Sequence, residues 1–241
     1  MAEPLGGAKL KVVRAQEHLD ALKGEITTYL QTKPYRPDIN FDEEPGRVVI
    51  RANVSHPPPE RLSLFVGDCV SNLNAALDHV AWALALKFRA PAPVVGDKIY
   101  YLRPDSFTRG QATMDSVAMA RLQAAQPATA GYEPLATLRD LVNEDKHRLL
   151  LLTVAMVPFM FRIWLGGTVE DISFPPDHAG AARLSYFLRG APREYVRVQG
   201  YPFVYVALQN PPVPQEPVDV TLENLIKCVA RAVATFEPLF P

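Results

Sequence analysis

Between Arg61 and Arg89, apolar residues recur at Val66, Val70, Leu73, Leu77, Val80 and Leu84, in alternating steps of four and three. That spacing lays them along one stripe of a helix and predicts a long helix packed on others. The same step at Val12, Ala15, Leu19, Leu22, Ile26 and Tyr29 predicts a helix over 8–32. Lys33-Pro34 ends it, because the residue before a proline is pushed out of the helical region. A modest helix over about 113–125 stops at Gln126-Pro127. Leu135, Leu138, Val142, position 145, Leu149 and Leu152 predict a helix from Pro134 to about Thr153. Leu222, Leu225, Val229, Val233 and Phe236 predict a last one over 219–238, with Thr221 as its cap.

Elsewhere the period shortens. Phe41 and Val48-Val49-Ile50 flank Glu44-Pro45-Gly46-Arg47, which has Pro and Gly at the central positions of a type II turn and predicts a β-hairpin over 39–54. Pro57 to Pro59 leads into the long helix, where early proline is tolerated. Residues 90–112 are punctuated by Pro and Gly around one short apolar piece, Ile99-Tyr100-Tyr101-Leu102. From 160 to 209, the runs Phe161–Trp164, Ala182–Leu188, Tyr195–Val198 and Phe203–Leu208 predict a small antiparallel sheet or meander. Leu149–Leu165 is nearly all apolar, yet Pro158 and Arg162 interrupt it and it is shorter than the ~20 residues of a membrane span. It predicts a helix end running into a buried strand, and no membrane association. The resulting fold class is α+β, a helical bundle of about four long helices with an inserted β-hairpin and a small antiparallel sheet. The expected organisation is one domain over 1–241, with a helical core at 8–155, a β-rich insertion at 160–209 and a C-terminal helix at 219–238.

Composition adds little beyond this. A chain of 241 residues that is 48% apolar and 21% charged can bury an ordinary globular core. A net charge of -1 gives no global attraction to nucleic acid or anionic membrane, so any such contact needs a local patch. Cys69 and Cys228 fall in predicted helices without metal-type spacing and read as buried reduced thiols. The N-terminus shows no signal-peptide core, which makes the expected location cytoplasmic. Neither a Gly-rich phosphate loop nor a nucleophile elbow nor a zinc spacing occurs, and the sequence names no cofactor.

The candidate chemistry sits where polar residues interrupt apolar helices. At about 100° per residue, Asp68, Asn72 and His79 fall on one flank of the long helix's stripe and Asn74 and Asp78 on the other. Asp145 occupies a stripe position that asks for an apolar residue. Asp145-Lys146-His147-Arg148 points all round its helix, so a charge network is expected, with Arg148 bonding Glu144 one turn back. Such clusters occur at functional sites and in purely structural networks alike. Two histidines flanked by carboxylates, His79 and His147, suit acid–base work near neutral pH. A metal-dependent alternative would use Asp78, His79, Glu144 and His147, the last two in Glu-x-x-His spacing. Arg183, Arg189, Arg193 and Arg197, interleaved with Tyr186, Phe187 and Tyr195, form a basic-aromatic stretch. It suits single-stranded nucleic acid or, more ordinarily on strands, a solvated face.

Together, Gly67-Asp68-x-x-x-Asn72-Leu73-x-x-Ala76-Leu77-Asp78-His79 and Asp145-Lys146-His147-Arg148 resemble two motifs of a group of uncharacterised bacterial proteins. The first motif is also similar to the Arg-x4-His element of HEPN-type helical domains, many of which are metal-independent ribonucleases acting as dimers. Here the arginine position is Asn74, giving Asn74-x4-His79, and Arg148 is the candidate substitute. The resemblance implies a general base at His79 or His147 and phosphate held by Arg148 or Lys146. Similar helical domains without the arginine are often non-catalytic binding modules.

The sequence therefore reads as a ligand- or partner-binding protein with a charged cluster in a helical core. The candidate catalytic set is Asp78, His79, Asp145, Lys146, His147 and Arg148, and the binding set is Asp68, Asn72, Asn74, Arg183 and Arg189. A HEPN-like ribonuclease is the alternative. The partners in view are a second copy of the chain, RNA or a small molecule.

Overall fold

The computed structural model describes residues 3–41, 47–110, 112–156, 160–165, 168–173, 183–187, 196–199, 204–209 and 216–240. Within them run five α-helices: α1 (Gly6–Gln31), α2 (Glu60–Phe88), α3 (Ser116–Ala124), α4 (Pro134–Asp145) and α5 (Val218–Phe236). The strands are β1 (Tyr35–Phe41), β2 (Arg47–Val54), β3 (Arg89–Ala90), β4 (Thr113–Met114), β5 (Leu152–Met156), β6 (Met160–Leu165), β7 (Thr168–Ser173), β8 (Arg183–Phe187), β9 (Val196–Gln199) and β10 (Val204–Leu208). The fold is α+β with a helical bundle. The chain divides into two compact units, one of residues 1–23, 63–150 and 219–241, the other of 24–62 and 151–218. No described helix is long and apolar enough to cross a membrane.

In the helical unit, the stripe of α2 is the centre of the core. Val66, Val70, Leu73, Leu77, Val80 and Leu84 are all fully buried, as are Ala15, Leu19 and Leu22 of α1 and Leu222, Val229 and Phe236 of α5. α1 ends where expected, with Lys33 at a φ of 50° just before Pro34. Cys69 and Cys228 are buried and unpaired, and burial pushes the Cys69 thiol up to about 12.

The connection from α2 to α3 is tied down at several points. Arg89 donates from Nε to the Phe107 carbonyl at 3.1 Å and pairs through Nη1 with Asp97 at 2.9 Å. Tyr101 is fully buried, donates its hydroxyl to the Ala125 carbonyl at 3.2 Å and meets the Phe236 ring edge-on at 5.9 Å. Asp115 caps α3, its carboxylate accepting from the Val117 and Ala118 amides at 3.0 Å each. The bonds of Tyr101 hold it between the end of α3 and α5, and its amide donates to Asp78 of α2.

Two helix boundaries differ from the sequence expectation. α4 stops at Asp145, and the His147 and Arg148 amides fold back onto the Glu144 carbonyl at 3.0 and 2.9 Å. The apolar run after it was ambiguous by pattern, because a short continuous apolar stretch fits a buried strand as well as a helix. Leu152–Met156 pairs antiparallel with Val204–Leu208. α5 begins at Val218, so Thr221 lies buried inside its first turn rather than at the cap.

The short β3–β4 pair belongs to the helical unit, and the second unit carries the other sheets. β1 and β2 form the expected hairpin, extended back to Tyr35, while the predicted turn at 44–47 falls largely outside the described residues. Residues 160–209 do not make one meander. β8 pairs with the free edge of β2, whose backbone donors and acceptors would otherwise be unpaired, and β6 runs between β7 and β9.

A core so centred on α2 makes a clear stability expectation. Leu77→Ala should cost about 2–5 kcal/mol in chemical denaturation, whereas Leu86→Ala, at a residue 54% exposed, should change stability by about 0.5 kcal/mol or less. A cost for Leu77→Ala no larger than that for Leu86→Ala would contradict the assignment of the core stripe.

Candidate functional site

The polar residues of α2 leave the helix on two sides of its buried stripe. On one side they meet α1. Asn72 Oδ1 accepts from Lys11 Nζ at 3.2 Å, and Asn72 Nδ2 donates back to the Asp68 carbonyl at 2.8 Å. His18 Nδ1 lies 3.7 Å from Asp68 Oδ2. The exposed His79 imidazole packs on Gly7, where a Cβ would come within 2.5 Å of Nδ1. This side docks one helix on another.

The other side opens onto a cleft of about 180 Å³. Asn74 and Asp78 form its floor, Tyr100, Leu102 and Val142 its walls, and Arg103, Arg139, Asn143 and Lys146 its rim. Asp78 Oδ2 accepts from Asn74 Nδ2 at 2.9 Å, and Oδ1 accepts from the Tyr101 amide at 3.3 Å. Burial pushes the Asp78 carboxyl above the ordinary range, and the Tyr101 and Asn74 hydrogen bonds and the charges of Lys146 and His79 pull it part of the way back. Both hydrogen-bond donors are uncharged, and among the described residues no cation forms an ion pair with Asp78.

The rim cations are held loosely. Arg103 lies with its guanidinium 5.7 Å from the centre of the Tyr100 ring. Arg139 Nε reaches Asp140 Oδ1 at 3.3 Å, with both side chains half exposed. Lys146 follows the last residue of α4 and is exposed. Arg139, Val142, Asn143 and Lys146 are spaced by three, four and seven, which puts them on one face of α4 and its end.

The Asp145–Arg148 cluster splits apart. Lys146 joins the cleft. Asp145 turns to α2, its Oδ1 only 2.5 Å from where a Gly67 Cβ would stand. A mid-helix glycine costs about 1 kcal/mol relative to alanine, and here its bare backbone is what admits the neighbouring carboxylate. Burial, with the nearby Asp68 charge, raises the Asp145 carboxyl. Position 145 is polar because the helix ends there, so the apparent break in the stripe is a terminus. Arg148 Nη2 pairs with Glu144 Oε1 at 3.0 Å, the bond expected from their spacing, and His147 is exposed.

Of the residues singled out by sequence, the cleft therefore unites Asn74, Asp78 and Lys146. Asp68, Asn72 and His79 lie toward α1, and His79 lines a separate pocket with Trp82 and Phe240, while His147 and Arg148 line neither that pocket nor the cleft. Among the described residues no three His, Cys, Asp or Glu side chains come together as metal ligands, which leaves Asp78, His79, Glu144 and His147 without a common centre. Arg183 sits on β8 in register with Arg51. Arg197 sits on β9 in a different sheet, and Arg189 and Arg193 fall outside the described residues. Tyr100, Arg103 and Arg139 were missed. Tyr100 belongs to the short apolar piece at 99–102 and Arg103 directly follows it in a stretch punctuated by Pro and Gly, whereas Arg139 was detectable from its helical spacing to Lys146.

Comparison of the chain with protein-family models, curated proteins and solved structures yields no match.

The Gly67–Asp145 approach can be tested by a double-mutant cycle. Gly67→Ala should stabilise the Asp145→Ala protein by about 1 kcal/mol, the helix preference of alanine. In the wild-type background that gain should vanish or reverse, giving a coupling of about 1 kcal/mol or more. Additive effects in urea denaturation would show that the two residues do not touch.

Proposed function

We infer that this chain is a ligand-binding protein whose site is the cleft over Asp78, and that its ligand presents an acidic group to the rim. The observation that carries this reading is the convergence of Arg103, Arg139 and Lys146, from two separate stretches of chain, on one small cleft. Guanidinium forks match the oxygens of phosphate and carboxylate, and charge-assisted bonds of this kind are stronger than neutral ones. On a chain of net charge -1, three clustered cations are a local feature with a local target. At about 180 Å³ the cleft is smaller than the pockets that hold drug-sized molecules, which favours a small metabolite.

The ribonuclease reading implied by the HEPN resemblance draws on the same cations, which could hold a phosphate. Its histidines, however, are outside the cleft, and Arg148 is engaged by Glu144. Binding without cleavage fits this geometry better. RNA incubated with the protein in EDTA should stay intact, and cleavage abolished by His147→Ala would restore the enzymatic reading.

The direct test is an NMR titration of the full chain with ethyl phosphate and with butanoate. Amide shifts should concentrate at 74–78, 100–103 and 139–146 for at least one of the two. Arg103→Ala and Arg139→Ala should each weaken that binding about tenfold, the effect of losing one charge-assisted contact. Shifts scattered over the surface, or unchanged affinity in both variants, would contradict an anion site.

A further inference from the structure

The cleft is bipolar, and the two signs are kept apart. At its floor, Asp78 holds each oxygen against one uncharged donor, the Asn74 amide or the Tyr101 backbone N–H. A carboxylate offers about four acceptor positions, so half of its capacity is free. A charge removed from water is costly unless it is paired, and among the described residues no cation pairs with this one. At the rim, Arg139 pairs with the half-exposed Asp140, while among the described residues neither Arg103 nor Lys146 forms an ion pair; the charge of Arg103 is felt at the exposed Asp105 and that of Lys146 at Asp78. Among the described residues the floor carboxylate has no ion-paired cation, and two of the three rim cations have no ion-paired anion, although floor and rim face one small space.

A plain anion would satisfy the rim and be repelled by Asp78. A plain amine would satisfy the floor and be repelled by the rim. We propose that the cleft binds a small zwitterion, an amine-bearing carboxylic acid or phosphate ester, with its ammonium on the free positions of Asp78 and its acidic group among Arg103, Arg139 and Lys146. The ammonium supplies three donors to a buried acceptor, and the acidic group supplies acceptors to exposed donors. Asn74 and the Tyr101 amide act as positioning groups, because they hold the carboxylate in place without neutralising it. This inference rests on the anion-site reading above and adds the second charge to it.

Two matched pairs of probes separate the claims in a calorimetric or NMR titration: O-phosphoethanolamine against ethyl phosphate, and 4-aminobutanoate against butanoate. The expected result is that in at least one pair the aminated member binds tenfold or more tightly than its deaminated partner. In Asp78→Asn, which keeps the side-chain shape and removes the charge, that preference should disappear while the deaminated member binds as well or better. Equal binding within both pairs would overturn the zwitterion and leave the anion site standing. A preference that survives in Asp78→Asn would also overturn it, since the amine would then be read elsewhere. If none of the four probes binds, the anion site itself fails, and the inference with it.

Discussion

Burial of one stripe of α2 sets most of the helical unit's geometry. Six residues of that stripe have no solvent exposure, so the helix cannot rotate about its axis without exposing some of them. Every polar residue between them must then leave on a fixed side. Asp68, Asn72 and His79 are committed to α1, and Asn74 and Asp78 to the segment around Tyr101. One set holds two helices in register. The other builds a cleft.

The cleft depends on a second constraint, the anchoring of Tyr101. Its ring is buried against Phe236 and its hydroxyl is held by Ala125, which leaves its amide aimed at Asp78. The neighbouring Tyr100 and Arg103 are thereby placed beside the α4 face that carries Arg139 and Lys146. Burial of an uncompensated carboxylate is destabilising. Because the folded-state pKa of Asp78 lies above its unfolded value, the stability this group contributes is present below the unfolded value. It is lost as pH rises through the folded one. A fold that keeps such a group at a solvent-reachable floor has a ready place for a cation, and a bound ammonium would offset the loss.

Much of this geometry was legible in the sequence because it follows from a period. The α2 stripe, the split of its polar residues into two flanks and the Glu144–Arg148 pair came from helical spacing, and the α1 stop at Lys33-Pro34 from the restriction a proline puts on the residue before it. What escaped depends on where a helix ends and on which loop returns. Asp145 looked like a buried violation because Leu149 and Leu152 continued the pattern, although those residues lie beyond the helix and Leu152 opens β5. His79 and His147 seemed a pair because each has a carboxylate within two residues in sequence and both were placed on helices of one bundle, whereas α4 ends before His147. Arg103 was hidden in a proline-punctuated connection with no period of its own, and only tertiary contacts bring it to Asp78. The switch of β8 onto the hairpin edge was likewise invisible, since strand pairing at that sequence separation is not encoded in the local pattern.

The most direct measurement is the titration of the Asp78 side-chain carboxyl by carbon-13 NMR in the ligand-free protein. The expected midpoint lies above the ordinary aspartate value of about 3.9, because burial outweighs the hydrogen bonds and charges that favour ionisation. It should fall when an aminated probe is added. A midpoint at or below the ordinary value would mean that Asp78 is already solvated or paired, and neither the cleft's polarity nor the ligand read from it would stand.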